Sequence, residues 1–255
     1  MTKILLHKKT CAVLRTVGVI LFWILFWWGC AALYAKPAIF PTPIGVFKAF
    51  LFMLKDAQMY LSIGNSLLHV LSGLLMGSIG VLFGVLIARF EIAHAFLAPA
   101  FSVARSTPVV CFILLAWVFL GSQVLPAFVS AVMVAPVMLS ATAGAIREID
   151  PRLKEVATVY RLSLAKRIRA IYLPNVLPAV RISLITCVGL AWKSCVAAEM
   201  IAFSNHTVGY GIWFARTAEM DYDTVFAWTI IIVTISILFE KITKAILTPK
   251  KRGAQ

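Results

Sequence analysis

Charged residues are scarce in this chain of 255 residues, and acidic ones are the scarcest: only 10 are Asp or Glu. Charged residues make up 13% of the sequence and hydrophobic residues 62%, with a mean hydropathy of +0.95. A soluble domain of this size would expose far too much apolar surface, because about a quarter of an ordinary globular domain is charged. The composition therefore predicts a protein whose main solvent is lipid.

The sequence also lacks the usual motifs of enzymes and metalloproteins. It has no Gly-rich phosphate loop, no Ser nucleophile elbow and no acidic calcium loop. The five cysteines are odd in number and scattered, so no disulfide framework is expected. The four histidines do not lie at metal-ligand spacing from one another or from a cysteine. We therefore expect no catalytic residue, no metal site and no cofactor bound by this chain.

Long hydrophobic runs are what the sequence has in abundance. A bilayer core about 30 Å thick requires roughly 20 apolar residues of helix. Six runs meet this need: 17–34, 63–88, 109–120 with the apolar stretch 95–103 before it, 124–146, about 177–202 and 225–246. Backbone groups in lipid must bond internally, so the runs are expected to be helices. The sequence predicts an all-α polytopic membrane protein, with 1–255 as one transmembrane domain of six spans.

The basic residues predict the orientation of these spans. Of the 24 Lys and Arg, 19 fall in the amino terminus, the second loop, the fourth loop and the carboxy-terminal region. Short loops rich in Lys and Arg stay in the cytoplasm, so both termini are predicted to be cytoplasmic. The cytoplasmic segments are then 1–16, the loop 147–176 and the basic tail 247–255. The net charge of +14 is attributed to this topology and to the anionic inner leaflet, and no nucleic-acid partner is expected.

The fourth loop has about thirty residues, whereas the loop before it, 121–123, has three. Asp150 followed by Pro151 is a helix-start signal. An apolar stripe follows at helical spacing, formed by Leu153, Val156, Ala157 and Tyr160. Ser163 is predicted to cap a second short helix, 164–172, which Pro174 and Pro178 should end. The alternative is a solvated loop that only sets topology, but that would not require an apolar stripe.

The spacing of this loop resembles that of the binding-protein-dependent ABC transport permeases. Their loop reads Glu-Ala-Ala, three residues, Gly, nine residues, Ile, one residue, Leu-Pro. The corresponding positions here, with no gap, are Glu155-Val156-Ala157, Arg161, Ile171 and Leu173-Pro174. Over about 60–245 the chain also resembles the nitrate, sulfonate and taurine branch of that family, through IDPRL at 149–153, RSTP at 105–108, GLAWK at 189–193 and AAEM at 197–200.

Two positions depart from the family pattern, namely Val156 for the second Ala and Arg161 for the Gly. Glycine would supply a left-handed turn between the two short helices, and another residue in that conformation costs about 1 to 2 kcal/mol. Either Arg161 adopts the turn at this cost, or the helix continues through it.

The resemblance implies a set of partners and a docking role for the loop. The loop would dock on a separate ATPase subunit, present in two copies and carrying ATP and Mg, so the chain itself is not expected to be an enzyme. The implied coupling residues are Glu155, Val156, Ala157, Tyr160, Arg161, Leu162, Ser163, Leu173 and Pro174. The other implied partners are an extracytoplasmic substrate-binding protein and a second permease copy in a homodimer, within the lipid of a bacterial inner membrane.

Lys193 and Glu199 are candidates for the translocation pathway, because ionisable groups inside a span are costly and usually face a bundle interior. They lie about 9 Å apart along a helix and about 120° around it, so each needs another partner. The remaining pathway candidates are Trp192 and the helix break at Ser106, Thr107 and Pro108. In the alternative, Lys193 snorkels, Glu199 lies near the outer interface, and the break is an ordinary Pro-capped helix start.

A small, anionic solute such as a sulfonate, taurine or nitrate is the predicted cargo, since Lys193 would place a cation in the path. A thiamine-precursor pyrimidine or another small organic solute remains open, because relatives of this branch handle such compounds too. An ion-coupled secondary transporter would require internal repeats and more buried acids, and a membrane scaffold would require no polar residue in the spans. Four glycines, Gly73, Gly77, Gly80 and Gly84, predict a close packing face toward either the same chain or a second copy.

Overall fold

The computed structural model describes residues 2–34 and 39–248, with the side chains of 14–33 and 39–248. The predicted basic tail therefore lies outside the described residues beyond Thr248. Among these residues every regular element is helical. The helices are α1 Thr2–Tyr34, α2 Pro43–Met53, α3 Ala57–Gly77, α4 Gly80–Arg89, α5 Glu91–Ser106, α6 Val109–Trp117, α7 Leu125–Arg147, α8 Pro151–Val159, α9 Leu164–Arg167, α10 Leu173–Ile201, α11 Val208–Thr217 and α12 Tyr222–Leu247, with a π-helical turn Ile168–Tyr172 between α9 and α10.

Five helical stretches are long and apolar enough to cross a membrane. They are Leu14–Leu33, Ala57–Arg89, Leu125–Arg147, Leu164–Ile201 and Tyr222–Leu247. The pair α5 and α6 makes a sixth if it is one span, although the two helices meet at an angle of 105°. The all-α prediction is confirmed, while the third predicted run is a bent pair of helices. The bend has a local cause, because Pro108 pushes Thr107 out of the helical region to φ −73° and ψ 129°.

The prediction that Pro174 and Pro178 end the second loop helix is wrong, because the helix runs from Leu164 to Ile201. The π-helical turn Ile168–Tyr172 precedes the first proline, and the amide of Leu173 donates to the carbonyl of Ile168. The side chain of Asn175 donates to the carbonyl of Ile171 at 2.7 Å. Such local adjustments supply partners for backbone groups near a proline, and so membrane helices tolerate it.

The described residues divide into two compact units. The first comprises those up to Met59 together with Ile212–Ile231. In it, Thr42 caps α2 by accepting a bond from the Gly45 amide at 3.1 Å. The Trp27 indole donates to the carbonyl of Pro41 at 3.1 Å and stacks on Phe226 with ring centroids 5.8 Å apart. Helix α2 was not among the sequence predictions.

The second unit comprises Tyr60–Gly211 and the described residues from Ile232 onward. Its core lies between α3, α4, α7 and α10, and the largest buried cluster holds Val70, Leu74, Val134, Met138, Cys187, Val188, Ala191, Trp192 and Cys195. The four predicted glycines face α7 of the same chain. A Cβ added at Gly77 would lie 2.6 Å from that of Val134, and one at Gly84 would lie 2.7 Å from the carbonyl oxygen of Leu139. The glycine face is therefore an intrachain helix contact.

Candidate functional site

The loop between α7 and α10 folds as a small capped unit. Helix α8 starts as predicted, with Pro151 in its first turn and the Asp150 carboxylate accepting from the Arg152 amide at 2.8 Å. Ala157 is buried, and with Ile149 and Ile171 it forms a separate apolar cluster. Ser163 precedes α9 as predicted, but its side chain makes no capping hydrogen bond. The loop thus has its own core, which holds α8 against the start of the long helix.

Arg161 adopts the left-handed turn, with φ at 48°. Around it the chain forms a Schellman motif, in which the Leu162 amide donates to the Ala157 carbonyl and the Arg161 amide to the Thr158 carbonyl, both at 3.0 Å. The motif carries its usual hydrophobic contact, because Leu162 packs on the cluster that contains Ala157. Of the two possibilities left open by the sequence, Arg161 therefore takes the turn, at a cost of about 1 to 2 kcal/mol.

Replacing Arg161 with Gly should stabilise the protein by about 1 kcal/mol, because the left-handed conformation costs glycine little while its freedom in the unfolded chain offsets part of the gain. Arg161→Ala is the matched control, since it removes the same side chain but keeps a Cβ at the strained position. The measurement is the thermal unfolding midpoint of each purified variant in one detergent. An Arg161→Gly protein no more stable than Arg161→Ala would contradict the strain argument.

Arg167 has a structural role in the loop that the sequence reasoning missed, since it counted this residue only as a charge. Its guanidinium donates to the Leu162 carbonyl at 3.0 Å and to the Ala157 carbonyl at 3.2 Å. Both carbonyls belong to the turn at the end of α8, so Arg167 ties α9 to that turn. A basic residue near the last carbonyls of a helix is a known capping pattern, but here it comes from the next helix and only the fold reveals it.

The outer face of the loop is apolar and exposed. The large exposed apolar side chains here are those of Leu153, Val156 and Val159 on α8, Tyr160 at its end, and Leu164 and Ile168 after it. Glu155 lies exposed beside them, and Leu173 and Pro174 are exposed at the start of α10. Of the predicted stripe, only Ala157 faces the loop's own core, because its small side chain fits against the Schellman turn. The exposed apolar side chains named above make up one surface, which we call the loop face.

The predicted break between α5 and α6 exists, and its polar groups are bonded locally. Ser106 is exposed, and its hydroxyl donates to the Val103 carbonyl at 3.2 Å, as that of Thr107 does at 2.7 Å. The Arg105 guanidinium donates to the Pro136 carbonyl of α7 at 3.3 Å and to the Ser140 hydroxyl. Pro108 is exposed and starts α6. The break is thus a bend anchored to α7 by Arg105.

Lys193 and Trp192 point in different directions from α10. Trp192 is fully buried in the main core of the second unit, and its indole N–H has no hydrogen-bond partner among the described residues. Lys193 is exposed on the surface of that unit. The two neighbours therefore do not form one site.

Glu199 is fully buried and lies at the centre of a polar cluster. Its Oε2 accepts from the Ser66 hydroxyl at 2.8 Å and from the Gly209 amide at 3.1 Å. Its Oε1 lies 2.9 Å from Nδ1 of His69 and 3.5 Å from Sγ of Cys195. As expected from the helix spacing, Glu199 and Lys193 do not pair. We call Ser66, His69, Cys195, Glu199 and Gly209 the Glu199 cluster.

The argument against a metal site from the spacing of histidines and cysteines did not anticipate this cluster. His69, Cys195 and Glu199 bring ligand atoms within 4.8 Å of one another, although 126 positions separate His69 from Cys195 in the sequence. Spacing rules detect ligands on one local segment, whereas α3 and α10 meet only in the fold. In this geometry, protein groups able to donate already surround both carboxylate oxygens, which matches the acceptor capacity of a carboxylate.

The segment after α10, next to the Glu199 cluster, is held by hydrogen bonds to two neighbouring segments. Phe203 and His206 both have left-handed backbones, with φ of 54° and 56°. Non-glycine residues adopt this conformation at a cost of about 1 to 2 kcal/mol each and keep it where the surroundings fix the chain. The Asn65 side chain donates to the His206 carbonyl at 2.9 Å, and the Ser204 hydroxyl donates to the Ser122 carbonyl. Loop 202–207 is therefore held from α3 and from the short loop before α7.

Comparison with known proteins decides the family. A family model described as binding-protein-dependent transport system inner membrane component matches residues 80–253. The chain belongs to this family. The family indicated by the loop spacing is thereby confirmed. The chain is an integral membrane permease component of an ABC transport system.

Several named permeases are similar to this one. It is 26% identical over 211 residues to the putative aliphatic sulfonates transport permease SsuC of Bacillus subtilis, covering 81% of this chain and 75% of SsuC. It is 28% identical to the bicarbonate transport permease CmpB of Synechococcus elongatus, covering 69% and 64%, and 29% identical to the nitrate import permease NrtB of Leptolyngbya laminosa, covering 68% and 62%. The permease thus matches somewhat less than two thirds of the length of CmpB and NrtB.

Among solved structures, a bacterial ABC transporter for import of the acidic polysaccharide alginate has the same fold. The TM-score is 0.65 with 16% identity, and the match covers 94% of the permease and 96% of that chain. An amino acid ABC transporter gives a TM-score of 0.54 with 18% identity, covering 78% and 95%. These likenesses support the all-α permease fold.

Proposed function

We propose that the permease forms the membrane pathway of an ATP-driven importer for a small anionic solute. An extracytoplasmic binding protein delivers the solute, and a separate ATPase subunit supplies the energy. Two permease chains pair in the bacterial inner membrane with two ATPase subunits, with both termini and the loop 147–176 in the cytoplasm. The asymmetry of basic residues supports this orientation.

The observation that carries the proposal is the loop face. The capped helix α8, which packs on the small core of the loop, exposes apolar side chains. The surrounding segment is rich in Arg and Lys and lies between two membrane spans. An amphipathic helix of this kind fits a hydrophobic groove on a partner protein. The basic residues around it favour a groove that is bordered by acidic residues. The chain would hydrolyse no ATP itself; ATP and Mg would bind to the ATPase subunits.

The names of the relatives support an anionic cargo, because sulfonate, bicarbonate and nitrate are all small anions. The exposed Lys193 supplies a cation on α10 that suits such a solute. Ser106, Thr107 and Pro108 at the bent pair remain pathway candidates, because broken helices at membrane depth occur where the chain is buried in protein or lines a cavity.

Replacing Lys193 with Met should reduce uptake of an anionic solute about five- to thirtyfold, because removal of a favourable charge within the path is worth roughly 1 to 2 kcal/mol. Lys193→Arg is the matched control and should keep most of the transport. The measurement is initial uptake into proteoliposomes, together with the amount of ATPase subunit that co-purifies. Unchanged kinetics in Lys193→Met would assign Lys193 a purely structural role.

The class of transporter is tested by co-purifying the tagged permease with the products of neighbouring genes and assaying the assembly for ATP hydrolysis. A panel of sulfonates, nitrate and bicarbonate is added with the candidate binding protein. An ATPase that co-purifies and is stimulated by one anion and its binding protein supports the proposal. A permease that purifies alone and still moves solute would refute it in favour of a secondary transporter.

A further inference from the structure

The first turn of α11, directly after loop 202–207, is attached to α10 and α3 through one carboxylate. The Gly209 amide donates directly to Glu199, and the Val208 amide donates at 2.9 Å to the Ser66 hydroxyl, which in turn donates to Glu199. These two amides are among the first of α11, which have no partner within their own helix. Glu199 thus caps a helix that follows it in the chain, using Ser66 of α3 as a bridge.

The close approach of α11 to α10 is built for this contact. A Cβ added at Gly209 would lie 2.6 Å from the Val196 carbonyl oxygen and 2.6 Å from the Met200 amide nitrogen, so only glycine brings its amide this near. A buried carboxylate at a helix amino terminus is favoured by the helix dipole as well as by the hydrogen bonds. Within the described residues, His69 and Cys195 complete the set of groups around Oε1.

We propose that Glu199 is a positioning residue, which locks loop 202–207 and the start of α11 against α3 and so sets the surface that receives the binding protein. This rests on the proposed function, because the predicted topology places the end of α10 on the extracytoplasmic side. In this role Glu199 does not touch the solute, which distinguishes it from Lys193. The strained backbones of Phe203 and His206 are then part of a fixed docking surface.

The test uses the assembled transporter with three permease variants. Ser66→Ala removes the bridge and leaves the carboxylate in place, and Glu199→Gln keeps an acceptor of the same shape. Ser194→Ala is the matched control, because Ser194 is also buried on α10 but its hydroxyl bonds only within its own helix, to Leu190 and Ala191. The first readout is hydrogen–deuterium exchange of the peptide covering 202–211, and the second is ATPase stimulation as the loaded binding protein is titrated.

In Ser66→Ala, the amides of 202–211 should exchange at least about tenfold faster, because the buried hydrogen bonds from Val208 to Ser66 and from Ser66 to Glu199 have been lost. The KM for the loaded binding protein should rise with little change in the maximal rate, while the amount of bound ATPase stays constant. Glu199→Gln should show a smaller effect in the same direction, and Ser194→Ala should match the wild type in both readouts.

Three results would overturn the proposal. One is unchanged exchange at 202–211 in both Ser66→Ala and Glu199→Gln. Another is faster exchange spread over the whole chain, which would mean a general loss of stability. The third is stoichiometric zinc in the wild type that is lost in His69→Ala, which would make the cluster a metal site. Failure of the ATPase to co-purify even with the wild type would instead refute the proposed function, because the exchange readout does not depend on transport.

Discussion

Replacing Gly80 with Ala should largely prevent recovery of folded permease. A Cβ at this position would collide with the backbone carbonyl of Ala135 on α7, and a backbone group in a packed helix pair has nowhere to move. Overpacking typically costs about 1 to 3 kcal/mol, and contact with rigid backbone places this change at or above the upper end. The measurement is the yield of monodisperse protein after extraction and its thermal unfolding midpoint.

Gly64→Ala is the control for that experiment. Gly64 lies in α3, and a Cβ added there would meet nothing within 4 Å. Alanine forms helix better than glycine by up to about 1 kcal/mol, so the control should be neutral or slightly stabilising. If Gly80→Ala were as well folded as Gly64→Ala, the contact between α4 and α7 would have to be looser than the structure describes.

Replacing Val156 with Asp should uncouple ATP hydrolysis from transport. Val156 is exposed on the loop face, and the proposed docking would bury it in a groove of the ATPase subunit. An unpaired charge in such a contact costs at least about 2 kcal/mol, equivalent to a thirtyfold or larger loss of affinity. We expect the ATPase to be lost during purification and uptake to fall to background. The same reasoning applies to opposite charge at Glu155, but Ala157 is buried, and changing it would instead disrupt the fold of the loop itself.

Thr158→Asp is the matched control, because it introduces the same charge in the same helix on the opposite flank from Val156. Thr158 is exposed and its hydroxyl bonds only to the Lys154 carbonyl of α8. A permease with Thr158→Asp should still retain the ATPase. Retention of the ATPase by both variants, with normal uptake, would refute the docking of this face.

Several features could be predicted from local signals. Hydrophobic runs revealed the spans, since backbone groups in lipid must bond within a helix. Asp150 and Pro151 marked the start of α8, because capping depends on neighbouring residues alone. The position of Thr107 and Pro108 marked the break between α5 and α6, because proline restricts the residue before it. The angle of that bend, however, depends on contacts such as that of Arg105 with α7.

Two expectations about helices failed for local reasons. Pro174 signals a helix end, but a π-helical turn and the Asn175 side chain carry the helix onward. Helix α2 was overlooked, because with 11 residues it is too short to stand out as a span.

The sequence by itself determined that the protein lies in lipid, that its fold is all-α, which family it belongs to and that its long loop is amphipathic. Each of these follows from composition or from residues within a few turns of one another. Only the tertiary structure decided that the four glycines pack against α7 of the same chain, that Arg161 takes a left-handed turn, and that Glu199 holds α11 through Ser66. The first and the last of these outcomes join residues from separate helices, and the turn at Arg161 depends on the packing of Leu162 against Ile149 and Ile171. A packing partner or a hydrogen-bond partner remote in the chain leaves no periodic signal in the sequence.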